Sequence, residues 1–223
     1  MEIRAYDEMY LSSAQNILGH AVDFAVMTLE IEPNVFGKAL AFSRSAKQFS
    51  SGNPRYVAGV NGCEFAREVL DEYGITYKDV DDIMYMDKSP EYWAGWAVAF
   101  YQWYMDVSFS EIFNVVTLDE IIAMYPVYHE MDIMQFVDRM NELMRDAYTH
   151  TKLYKHRKNN GLSQEGLSRE SGVPLRQIQL FEQRQRDINK TSSATLYKLS
   201  KVLHCSMEDL MDPSYAFNEL KRC

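Results

Sequence analysis

The stretch LSQEGLSRESGVPLRQIQLFEQ, Leu162 to Gln183, decides the fold. It divides into two short helical patterns around Ser171-Gly172-Val173-Pro174. Ser163 suits an N-cap, and Leu167 is the first inward residue of a helix that ends at Ser171-Gly172. Gly172 supplies the positive φ that a tight helix-to-helix turn needs. Pro174 stands at the start of the next helix, where its missing donor costs nothing. In that helix Ile178 and Phe181 point inward, while Arg176, Leu180 and Gln183 project roughly opposite, with Gln179 at the margin.

The flanking sequence extends the pattern in both directions. KLYKHRKNN, residues 152–160, predicts a preceding helix with Lys152, Lys155, Arg157 and Lys158. RQRDINK, residues 184–190, predicts a loop that offers Arg184, Arg186 and Lys190 to phosphates. SATLYKLSKVLHCSMEDLM, residues 193–211, predicts two closing helices, with Leu196, Leu199 and Leu203 inward and Ser206 as a cap.

Charge separates this segment from the rest. Residues 1–149 hold 10 Lys+Arg and 24 Asp+Glu, a net of −14, within a chain whose total is −9. Residues 150–212 hold 11 Lys+Arg and 7 Asp+Glu, a net of +4. The basic segment is the part suited to phosphates, because the local field decides more than the sum over the chain. The expected division is therefore an acidic domain over 1–149 and a second domain over 150–223 that includes a short C-terminal tail.

The acidic part reads as helical throughout. Leu11 to Glu30 keeps apolar residues near helical spacing. Glu32-Pro33, Asn53-Pro54 and Ser89-Pro90-Glu91 each place a proline where a first helical turn tolerates one. Thr117-Leu118-Asp119-Glu120 is a capping box, and Pro126 ends the short helix behind it. Asp132 caps a long amphipathic segment carrying Ile133, Phe136, Met140, Leu143 and Ala147. EYWAGWAVAFYQWYM, residues 91–105, is apolar all round and reads as a central core helix, with Trp93, Trp96, Phe100 and Trp103 on one face. No alternating strand and no internal repeat stands out, so the fold class is all-α.

Several function classes find no support. Cys63, Cys205 and Cys223 are too few and too widely spaced for a disulfide framework or a zinc site, which favours a reducing cytosol. The N-terminus carries acids where a signal peptide has a basic and then an apolar run, and no apolar stretch is long enough to span a membrane. DVDDIMYMD, residues 79–87, departs from a calcium loop at Met84 and Pro90 and reads as a solvated acidic turn. No nucleophile elbow, zinc-protease helix or phosphate-binding glycine loop occurs, and the five His are scattered, so neither an enzyme nor a cofactor is expected.

Residues 150–212 resemble the Cro/phage-repressor helix-turn-helix class, also called the Xre family. The resemblance rests on Leu162-Ser163-Gln164, Leu167, Ser171-Gly172-Val173, Ile178, Phe181-Glu182, the Leu196/Leu199/Leu203 series and Met207-Glu208-Asp209-Leu210. It implies a fold of five short helices, operator binding as a dimer and no cofactor. By the same resemblance the base-reading positions fall on Leu175, Arg176 and Leu180, with Gln177 or Gln179 beside them, and a first-helix phosphate contact on Gln164. Gln183, Arg184, Arg186 and Lys190 complete the set by their position on the helix and in the loop. Planar polar side chains there suit base edges, since Arg bonds guanine and Gln bonds adenine at two points each.

Gly166 departs from the pattern, replacing the acid that would complete a capping box with Ser163, and Ser168 stands where a small apolar residue is usual. Leu175 and Leu180 are apolar where polar readers are common, and suit either thymine methyl groups or a protein surface. Two functions are compatible with the chain. One is a transcriptional regulator, a repressor on a palindromic operator, whose acidic domain dimerises or senses a small effector. The other is an antitoxin-like protein whose acidic domain captures a basic toxin while the other domain controls its operon.

Overall fold

The structure, a computed structural model, describes residues 4–82, 88–147 and 149–212. Residues 83–87 of the acidic run and the tail beyond 212 lie outside the described residues. The chain divides into two compact units, Met1–Met144 and Arg145–Cys223. Helices account for all the regular structure among the described residues, with no strand. No helix there is long and apolar enough to cross a membrane.

The first unit is built on two antiparallel partners in its core. Helix α1, Leu11–Asp23, continues through a π-helical turn, Phe24–Thr28. Helices α2 (Pro33–Phe42), α3 (Arg44–Ser50) and α4 (Gly62–Tyr73) follow, and α5 (Pro90–Met105) returns against α1. Pro33 and Pro90 both occupy first-turn positions, and the Ser89 hydroxyl accepts the Tyr92 N–H at 2.9 Å. Helix α5 is a core helix, burying Ala94, Ala97, Val98, Ala99 and Tyr101 completely or nearly so. Its most buried face is not the tryptophan face, however, because Trp96 and Phe100 remain half-exposed. Small residues line the contact with α1 and let the two backbones approach. A Cβ on Gly95 would come within 2.4 Å of the Leu18 carbonyl oxygen.

Short helices close this unit. They are α6 (Phe109–Phe113), α7 (Leu118–Ala123) and α8 (Tyr125–Tyr128), before the long α9 (Ile133–Ala147). The Thr117/Glu120 capping box forms, and Ser108/Glu111 makes a second one at α6. Pro126 opens α8 rather than only ending α7. The buried stripe of α9 is Phe136, Val137, Met140 and Met144, displaced from the expected one, so that Leu143 is half-exposed and Ala147 exposed.

The second unit contains α10 (Lys152–Asn159), α11 (Gln164–Ser171), α12 (Leu175–Glu182) and α13 (Ser193–Leu203). Two 3₁₀ turns complete it, Ile188–Lys190 before α13 and Glu208–Leu210 after it, the latter capped by reciprocal bonds between Ser206 and Asp209. Leu153, Leu167, Ile178, Phe181, Leu199 and Leu210 form its core, each at most 1% exposed. This is an all-α chain in which a helical N-terminal region precedes a unit of four α-helices and two 3₁₀ turns.

Candidate nucleic-acid interface

The turn between α11 and α12 is held by short local bonds. The Ser163 hydroxyl caps α11 by accepting the Gly166 N–H at 2.9 Å. Gly172 ends it at φ 66°, in the left-handed region that favours glycine. Two serines then brace the turn. Ser168 Oγ donates to the Val173 carbonyl at 2.7 Å, and Ser171 Oγ donates to the Leu167 carbonyl at 2.6 Å while accepting the Val173 N–H. The hydroxyl at 168 thus does work that an apolar residue there could not.

One ion pair fixes α12 against α10. Arg157 Nε and Nη2 donate to the two carboxylate oxygens of Glu182 at 2.6 and 2.8 Å, with both side chains about 95% buried. Its remaining Nη1 donates to the Leu162 carbonyl at 2.8 Å. Gln164 Nε2 also donates to Glu182, at 2.7 Å. Arg157 therefore leaves the basic surface to which its sequence neighbours belong, since Lys155 and Lys158 are exposed. The Glu182 carboxylate holds the Arg157 guanidinium above the usual arginine range, against the opposing effect of burial.

With its inward side committed, α12 presents a defined outer face. Ile178 and Phe181 are buried, Arg176 and Gln183 are exposed, and Leu175, Gln179 and Leu180 are half-exposed between them. Gln177 is drawn aside, its amide donating to Thr191 Oγ1 at 3.3 Å. In the following loop Arg184 adopts a left-handed φ of 54° and is half-buried, near enough to Asp212 for its charge to act on that carboxyl. Arg186 and Lys190 stand exposed. Lys190 lies 3.5 Å from Asp187 with 79% of its side chain exposed, a surface pair of little energetic weight. So the structure groups Leu175, Arg176, Gln179, Leu180 and Gln183 on one face, with Arg186 and Lys190 beyond the helix end. Gln164 and Gln177 each have a side-chain atom bonded within the unit, and Arg184 is half-buried.

The loop is tied to the segment after the Glu208–Leu210 turn by Asn189 and Asp212. Asn189 Nδ2 donates to the Asp212 carbonyl at 2.6 Å, and the Asp212 N–H donates to Asn189 Oδ1 at 3.1 Å. The Asp212 carboxylate accepts the Lys152 N–H at 2.7 Å, at the start of α10. Burial pushes that carboxyl above its ordinary range, opposed by the Lys152 hydrogen bond and by the Arg184 charge. These links tie the segment that carries Arg186 and Lys190 to the start of α10.

Two helices joined by a glycine turn, the second with a polar and partly apolar outer face, define a DNA-binding helix-turn-helix of the transcription-regulator class. Residues 153–210 match the helix-turn-helix family model of the Cro/C1 type, and the region before them matches no family. No curated protein and no solved structure matches the chain.

Proposed function

We propose that the chain is a cytoplasmic repressor that binds a palindromic operator as a homodimer, with α12 in the major groove. The outer face of α12 carries this reading. On this reading Arg176 bonds guanine at two points, Gln179 and Gln183 bond adenine, and Leu175 and Leu180 meet thymine methyl groups, as their exposed or half-exposed positions allow. Arg186 and Lys190 supply phosphate contacts that set the register of the helix, joined by Arg184 at the start of the loop. Gln164 spends one amide hydrogen on Glu182 and keeps a second for a phosphate. One unit of this size covers a half-site, and two such units reach half-sites about 34–36 Å apart. Residues 1–149, at −14, repel phosphates and serve dimerisation or sensing. Their charge also favours a second reading, in which they capture a basic protein such as a toxin and the helix-turn-helix controls the operon.

Selection of bound duplexes from a random pool, followed by light scattering of the protein free and on the selected duplex, tests the first reading. A palindromic consensus bound by a dimer is expected. An enriched site without two-fold symmetry, bound by a monomer, rules out the dimeric operator. Failure to enrich any sequence rules out base reading by α12.

A further inference from the structure

The first unit carries an open cavity of about 480 Å³, within the range of roughly 300–1,000 Å³ typical of small-molecule sites. Its walls come from three neighbouring segments. The first turns of α5 contribute Tyr92, Trp93 and Trp96, and α8 contributes Tyr125 and Tyr128. His129, stacked on Tyr125 at 4.2 Å and 21°, extends the aromatic wall, and Met131, before α9, and Ile133, its first residue, complete the lining. The walls are held in place from behind. Trp93 packs edge-on against Tyr125 and against the fully buried Phe136. The Tyr92 hydroxyl donates to Asn16 at 2.6 Å, and His129 Nδ1 lies 2.8 Å from the Tyr125 carbonyl. Rings fixed in this way offer faces and edges to a flat guest without reorganising.

Charge selects among flat guests. Although residues 1–149 carry a net −14, no described carboxylate lines the cavity. The lining does include Lys88, whose ammonium lies 3.8 Å from the centre of the Tyr92 ring and 3.4 Å from His20 Nε2. Neither contact neutralises that charge, and Lys88 is exposed, so its remaining donors are open to a ligand. A cage of aromatic rings alone would favour a quaternary ammonium, but a lysine in its wall repels one.

We infer that this cavity binds a compact aromatic carboxylate of one or two rings, with the ring system between α5 and α8 and the carboxylate on Lys88. The inference goes beyond DNA binding and does not depend on it, since it concerns residues of the first unit alone.

Three probes with one ring system and different head groups test it on the full-length protein: 2-naphthoate, 2-naphthamide and 2-naphthyltrimethylammonium. Saturation-transfer NMR titrations give each affinity, and 2-naphthoate is expected to bind about tenfold more tightly than the amide, the worth of one charge-assisted hydrogen bond. Lys88→Gln should reduce that preference to about twofold or less. Lys88 is exposed, so the variant is expected to fold. Equal binding of acid and amide, preference for the ammonium, an acid preference that survives Lys88→Gln, or no saturable binding by any of the three would each overturn the assignment.

Discussion

Arg157 and Glu182 share two hydrogen bonds across 25 positions of sequence, and both side chains are about 95% buried. A pair of this kind adds little net stability relative to apolar residues of the same volume, yet breaking it leaves one buried charge uncompensated. Arg157→Ala or Glu182→Ala should therefore destabilise the helix-turn-helix unit by about 3–5 kcal/mol, whereas the double change Arg157→Met/Glu182→Leu should cost far less. Urea denaturation followed by far-UV circular dichroism measures this. All three tryptophans lie in the other unit, so tryptophan fluorescence reports separately on whether the loss stays local. Single variants as stable as the double variant would contradict the buried pair.

Arg176 and Lys190 are both exposed cations but belong to different surfaces, one on the α12 face and one in the loop beyond it. Arg176→Ala should cost about 1–3 kcal/mol on the selected duplex and relax preference at one base pair. Lys190→Ala should weaken selected and scrambled duplexes alike and reduce the slope of affinity against salt by about one. Titrations at several salt concentrations separate these outcomes. Equal losses on both duplexes for Arg176→Ala would assign it to phosphate contact.

What the sequence discloses here follows from distance along the chain. The Ser163 cap, the positive φ of Gly172 and the Thr117/Glu120 box each depend on residues at most four apart, and all are legible. Ile178 and Phe181 are legible as inward residues because a polar face opposes them. Helix α5 carries no such contrast, so the direction of its tryptophan face could not be read. In α9 two apolar series overlap, and packing selects the one through Val137 and Met144 over that through Leu143 and Ala147. Within the candidate interface the outer face of α12 is legible from periodicity. The engagement of Gln177 with Thr191, of Gln164 with Glu182 and of Arg157 in the core are tertiary events that no local pattern encodes.

His20 should make the first unit sensitive to mild acid. Burial lowers its pKa from 6.5, the nearby Lys88 ammonium lowers it further, and the Asp23 carboxylate partly opposes both. The ring also meets Tyr92 edge-on at 4.8 Å. The folded state therefore binds the His20 proton less readily than the unfolded chain does. The stability this contributes is complete above pH 6.5 and is lost as pH falls through the lower folded value. Melting temperatures read by tryptophan fluorescence should decline from pH 7 downward, and His20→Gln should flatten the decline. An unchanged slope in that variant would show that other groups govern it.

Gly95 tests the closeness of α1 and α5. A methyl group there would lie 2.4 Å from the Leu18 carbonyl oxygen and 2.9 Å from Gly19 Cα, both backbone atoms that cannot move without shifting a helix. At Gly19 the added carbon would lie 2.8 Å from the Tyr92 ring, a side chain whose displacement moves no helix backbone. Alanine gains about 1 kcal/mol over glycine in a helix interior, so propensity alone would make both changes stabilising. Overpacking against a rigid neighbour typically costs about 1–3 kcal/mol, and contact with backbone calls for the upper end of that range. Gly95→Ala should thus lower the melting temperature of the first unit, and Gly19→Ala should lower it less or leave it unchanged. Tryptophan fluorescence follows both, because Trp93, Trp96 and Trp103 all lie on α5. A stabilised Gly95→Ala variant would mean that α1 and α5 are further apart than the structure places them.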